Sequence, residues 1–126
     1  MNSYEGFEGE LRRSLNKPLN DRMKELLSGI EAGPELYLGN DVNIQCLFHF
    51  LNGWQMAAPE NRNDGEAGLN EKMNAFLALK YNDFDSLNWE GLLIRHEGEE
   101  AAFKRFFEYY HMMDKLSTDL SLSGSR

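Results

Sequence analysis

Residues 34–58, PELYLGNDVNIQCLFHFLNGWQMAA, carry the most apolar helical pattern in the chain. Residues 34–39 read as a turn. Behind it Ile44, Leu47, Phe48, Leu51 and Ala58 recur at helical spacing, and Phe50, Trp54 and Ala57 form a second row beside the first. Two adjacent rows make a wide apolar stripe, so this helix is expected to sit centrally and touch several neighbours. Asn40 or Asp41 is expected to cap it by accepting a hydrogen bond from its first free N–H groups, and Pro59 to end it.

Working outward, Leu19, Met23, Leu26, Leu27 and Ile30 form a one-sided stripe over 19–32, with Pro18 at the first turn. Gly33 stands where a helix C-terminus favours glycine, and Pro34 stops any continuation. Residues 4–15 repeat Phe7, Leu11 and Leu15 every four, but Gly6 and Gly9 each cost about 1 kcal/mol in a helix, so a short first helix is expected there. Residues 60–68 are polar and aperiodic, a surface loop. Leu69, Met73, Phe76, Leu77 and Tyr81 define the next helix over 69–81. A turn at 82–86, with Asp85 or Ser86 as cap, leads to a short helix over 87–96 bearing Trp89, Leu92 and Leu93. After Gly98, a last helix over 99–116 places Phe103, Phe106, Phe107, Tyr110 and Met113 on one face, with Tyr109, Met112 and Leu116 beside it.

No alternating run of β-branched residues occurs, and valine appears once, at Val42. The expected fold class is all-α, a single-domain bundle of five or six helices over 1–117, with a disordered serine-rich tail at 118–126. At 126 residues one domain is enough to bury a core. The single cysteine, Cys46, excludes an internal disulfide and fits a reducing compartment. No apolar run approaches the roughly 20 residues that span a bilayer, and the N-terminus lacks the basic and apolar segments of a secretion signal. A cytoplasmic protein without a membrane partner is expected.

Thirteen basic residues against 21 acidic ones give a net charge of −8. That balance argues against nucleic acid, whose phosphates need a basic footprint, and suits a basic protein partner. His49, His96 and His111 fall on three separate helices without zinc-ligand spacing. Gly6 and Gly9 do not form a phosphate-binding loop. No catalytic residue, cofactor or metal is assigned, and no enzyme is expected. The phenylalanines and tyrosines of the last helix, Trp54 and Trp89 read as core, each indole requiring an acceptor.

The acids outside regular helix faces are the candidate binding residues. Asp83, Asp85 and Glu90 bracket one turn, and Glu97, Glu99 and Glu100 the next. Turns at one end of a bundle lie near each other, so these six are expected to form a negative rim, helped by the 60–66 loop with Glu60 and Asp64. The same residues also serve as caps and dipole partners of the helices they flank.

The order of features resembles a group of small helical bacterial immunity proteins associated with polymorphic or contact-dependent growth-inhibition toxins. In that group a P-x-x-Y-L/I-G turn and an L-x-x-F-L-x-G-Y/W helix precede a tryptophan helix and a terminal phenylalanine-rich helix. Here these are Pro34, Tyr37, Leu38 and Gly39; Leu47, Phe50, Leu51, Gly53 and Trp54; Trp89 and Leu93; and Phe103, Phe106 and Phe107. Gly33 stands where the group commonly carries an arginine. The resemblance, over about residues 34–110, implies binding and neutralising a cognate protein toxin in the cytosol. A basic nuclease toxin would suit the acidic surface. Two other classes stay open: a helical adaptor using an exposed aromatic groove, and a ligand-binding domain or enzyme with a pocket among Trp54, Trp89 and the terminal aromatics. The wide stripe on the last helix also leaves a homodimer open.

Overall fold

A computed structural model of the chain describes residues 19–57, 68–85 and 87–124, with side chains as far as Leu116. Among them are six helices and no strand: α1 (Asp21–Ala32), α2 (Pro34–Leu38), α3 (Ile44–Ala57), α4 (Leu69–Tyr81), α5 (Trp89–Glu97) and α6 (Glu99–Gly124). The fold is all-α, as the periodicity predicts. The expected first helix at 4–15 and the loop at 60–66, with Glu60 and Asp64, lie outside the described residues.

Short asparagine side chains, rather than the acids nearest the turns, set the helix starts. Asn20 Oδ1 accepts from the Met23 amide at 2.9 Å and opens α1. Asn43 Oδ1 accepts from the Cys46 amide at 2.8 Å, so Asn43 caps α3 in place of Asn40 or Asp41. Asn88 Oδ1 accepts from the Gly91 amide at 2.9 Å. That cap starts α5 at Trp89, two residues later than the apolar pattern indicates, with Asn88 in the role expected of Asp85 or of Ser86, which lies outside the described residues. An asparagine immediately before the first helical residue reaches the third amide onward without straining the chain. The expected turn at 34–39 closes into the short helix α2, which Gly39 ends at φ 70°, a conformation open to glycine. No proline interrupts the chain after Leu116, and α6 continues to Gly124 instead of stopping there.

The helix α3 touches α2, α5 and α6, as expected, but its second apolar row is less covered than the spacing indicates. Ile44, Leu47 and Leu51 of α3 are buried, but Phe48, Phe50 and Trp54 are only partly covered. The helix that packs against α3, α4 and α5 together is α6, through buried Ala102, Phe106, Phe107, Tyr109, Tyr110 and Met113. Met112 and Leu116 remain exposed. Trp89 is enclosed between Phe48 and Phe106, with ring centroids 5.0 and 4.7 Å away. Its indole N–H donates to Asn70 Oδ1 at 2.8 Å, and Asn70 Nδ2 donates to Asn52 Oδ1 at 2.7 Å. This chain of polar groups ties α3, α4 and α5 together inside the aromatic cluster and leaves the region around Trp89 filled by rings.

Lys72 is the one charged residue buried among the described residues, at 1% exposure. It occupies the i+3 position between Leu69 and Phe76, inside the apolar stripe of α4.

Candidate partner-binding site

The turn between α4 and α5 and the junction between α5 and α6 meet at one end of the bundle. Asn82 takes a left-handed conformation (φ 51°) that ends α4 and throws the chain outward. Asp83 and Asp85 then face the last turn of α5. The Arg95 Nη1 group donates to Asp83 Oδ2 at 3.0 Å and to Asp85 Oδ2 at 2.7 Å. His96 Nε2 donates to the same Asp83 oxygen at 2.7 Å, and its ring stacks on Tyr81 with centroids 4.1 Å apart. These groups border a cleft of about 470 Å³ lined by Tyr81, Asn82, Asp83, Phe84, Asp85 and His96.

Glu97 makes a second clamp beside the first. Its Oε2 accepts from both the Tyr81 and Tyr109 hydroxyls at 2.7 Å, and its Oε1 lies 3.3 Å from Arg105 Nε. The two phenol donors, with the Arg105 charge behind them, hold the Glu97 carboxyl below the usual carboxylate range. Burial, then the Glu97 contact, raises both phenols above their ordinary value. The His96 hydrogen bond, the Asp85 amide and Arg95 hold Asp83 down to about 2.

Because the Asp83 carboxyl is acidified on folding, its stabilising contribution is full above its ordinary value of 3.8 and is lost as pH falls through about 2. Asp83→Asn keeps the side-chain shape and removes that dependence. Urea denaturation between pH 4 and pH 2 is expected to show a shallower loss of stability for the variant than for the parent, with the parent more stable at the upper end.

The structure therefore brings Asp83, Asp85, Glu97, Glu99 and Glu100 to one end of the bundle and separates their tasks. Asp83 and Glu97 are largely covered and hold the junction together. Asp85, though bonded to Arg95, keeps a side chain 69% exposed. Glu99 and Glu100 are exposed in the first turn of α6, with no hydrogen bond or ion pair among the described residues. Glu90 also lacks such a partner, but it lies in the first turn of α5, at the opposite end of that helix from Arg95 and His96. Sequence reasoning missed Arg95, His96, Arg105, Tyr81 and Tyr109 as the partners of these acids. The only local signal was two basic residues in the last turn of α5, where helix-dipole pairing already accounts for them.

Elsewhere, His111 Nε2 meets Glu31 Oε1 at 2.7 Å across α6 and α1. Beside this contact is a groove of about 340 Å³ lined by Glu31, Phe103, Lys104, Phe107, Glu108 and His111. No group of three or more histidine, cysteine or acidic side chains among the described residues is arranged to hold a metal ion. No helix among the described residues is long and apolar enough to cross a membrane. Comparison with known proteins finds no matching family model, no matching curated protein and no matching solved structure.

Proposed function

We propose that the protein is an immunity-type inhibitor that binds a basic protein toxin in the cytosol through the acidic end formed by the α4–α5 turn and the α5–α6 junction. The observation that carries this reading is the pair of exposed carboxylates Glu99 and Glu100, without a partner among the described residues, set directly after a doubly clamped junction, with exposed Asp85 on the same junction. A rigid base lowers the ordering cost of binding, and a surplus of negative charge steers a basic partner at rates up to about 10⁸ M⁻¹s⁻¹ at low salt. The chain's charge of −8 and its resemblance to immunity proteins support the same reading. Inhibition by occlusion needs no catalytic residue.

The test is to express the gene immediately upstream with and without this protein and follow growth. Toxicity relieved by the parent chain, and restored by Glu99→Lys with Glu100→Lys, is the expected result. A harmless neighbour, or protection unaffected by the charge reversals, rejects this assignment.

A second reading, a helical adaptor, draws on the Phe103–Phe107 groove between α1 and α6. Salt separates the two once a partner is in hand. Charge-led binding weakens steeply between low and physiological salt, whereas binding led by the phenylalanine floor hardly changes.

A further inference from the structure

The segment joining α1 to α3 exposes three apolar side chains within seven residues. No residue of α2 is buried. Leu36 is 83% exposed, and Tyr37 and Val42 are exposed with it. Tyr37 is nonetheless held in place. Its ring meets Phe50 edge-on at 6.0 Å, and its hydroxyl lies so close over α1 that a Cβ at Gly29 would come within 2.5 Å of it. An aromatic ring anchored on one side and open on the other loses little rotational freedom on binding, which is the usual character of an interface anchor.

The segment that carries these side chains has charge of one sign. Residues 31–57 contain Glu31, Glu35 and Asp41 and neither lysine nor arginine. The Glu35 and Asp41 carboxylates are exposed and have no hydrogen bond or ion pair among the described residues, whereas Glu31 is occupied by His111.

We propose that this surface docks a basic amphipathic α-helix of a partner protein, with its apolar side chains on Leu36, Tyr37 and Val42 and its lysines or arginines facing Glu35 and Asp41. A second copy of the chain fits poorly, because a self-complementary contact would set these carboxylates against one another. An anionic membrane surface would repel them as well. The inference is independent of the toxin reading: it concerns a different face and is led by apolar area.

The experiment uses the full chain and a fluorescently labelled synthetic leucine–lysine helix with leucines at i, i+3, i+4 and i+7, followed by anisotropy at physiological salt. Leu36→Ser with Val42→Ser is expected to weaken binding about tenfold or more. Glu35→Gln with Asp41→Asn is expected to weaken it a few-fold and flatten its salt dependence. Charge reversal at Glu99 and Glu100 is expected to leave it within about twofold. A shuffled peptide of equal charge but no apolar face binds weakly if the proposal holds. The proposal fails if no peptide binds or if the Leu36/Val42 variant binds like the parent. It fails equally if the Glu99/Glu100 variant loses as much affinity. Sedimentation that shows concentration-dependent self-association abolished by Leu36→Ser would assign the face to a second copy and also overturn it. Circular dichroism of each variant separates a binding loss from a folding loss, and the serine substitutions fall on side chains that support no core.

Discussion

Trp89→Ala removes about 3–5 kcal/mol of stability, the largest loss expected from any single side chain here. The indole has no solvent exposure and fills the space between Phe48 and Phe106, so its deletion forfeits both buried area and close ring contacts. The loss also strips Asn70 Oδ1 of its 2.8 Å donor. Trp89→Phe separates the two contributions. It retains most of the packing and leaves the Asn70 oxygen without the indole donor, at a cost of about 1–3 kcal/mol. The doubly substituted Trp89→Phe, Asn70→Ala chain should then lose less than the sum of the single changes, because the polar contact they share is counted twice. Urea denaturation of the four proteins measures this. Strict additivity would mean that the indole–amide bond contributes nothing. Because a domain of this size is stable by only about 5–15 kcal/mol, the alanine variant should also unfold at a much lower temperature.

Lys72→Met is expected to stabilise the protein at neutral pH by about 1–4 kcal/mol. Burial lowers the Lys72 ammonium from 10.5 to about 8; the Asp114 carboxylate opposes the shift and the Lys24 charge adds to it. A lysine whose folded value is depressed holds its proton more tightly when unfolded. Below about pH 8 both states are protonated, and the native state bears the full cost of enclosing the charge. Between about 8 and 10.5 the unfolded chain carries the extra proton, so stability rises with pH, by up to about 3 kcal/mol at 1.36 kcal/mol per unit. The tyrosines act in the opposite sense at the upper end. Burial pushes Tyr110 up to about 12, and Tyr81 and Tyr109 are raised as well. Native phenols keep their protons after unfolded ones have ionised, and stability falls again above about pH 10.

The parent is therefore expected to be most stable near pH 10, and Lys72→Met should abolish the rise that precedes it. Methionine fills a similar volume, and Asp114 retains Lys24 at 3.5 Å, so no charge is stranded by the change. Stability measured by urea denaturation across pH 7–10 distinguishes the outcomes. A parent curve that is flat or falling there would show that the buried amine does not titrate in this window.

Lys72 also shows where local reading stops. Its i+3 position between Leu69 and Phe76 was visible, yet a lysine in that register is ordinarily taken to carry its charge out to solvent along an apolar stem. Enclosure depends on helices distant in sequence, since the charges acting on it are Asp114 of α6 and Lys24 of α1, and no window within α4 contains them. The asparagine caps were nearer to legibility: Asn20, Asn43 and Asn88 each stand directly before a helix, but Asn40 and Asp41 competed for the second of those roles and Asp85 and Ser86 for the third on composition alone.

The chain by itself determined the all-α class, the five longer helices described here and most of their buried faces, because helical periodicity and glycine or proline punctuation act over a few residues. It also determined the acid surplus and the position of the acidic turns. Only the tertiary structure decided which acids hold the fold and which face solvent. Asp83 meets Arg95 and His96 from 12 and 13 residues away, and Glu31 meets His111 from 80 away. The exposure of Leu36 and the packing of α6 across α3, α4 and α5 were decided there as well. Hydrogen bonds of that span depend on the angles at which whole helices pack, and apolar spacing within one helix says which side is buried without saying what covers it.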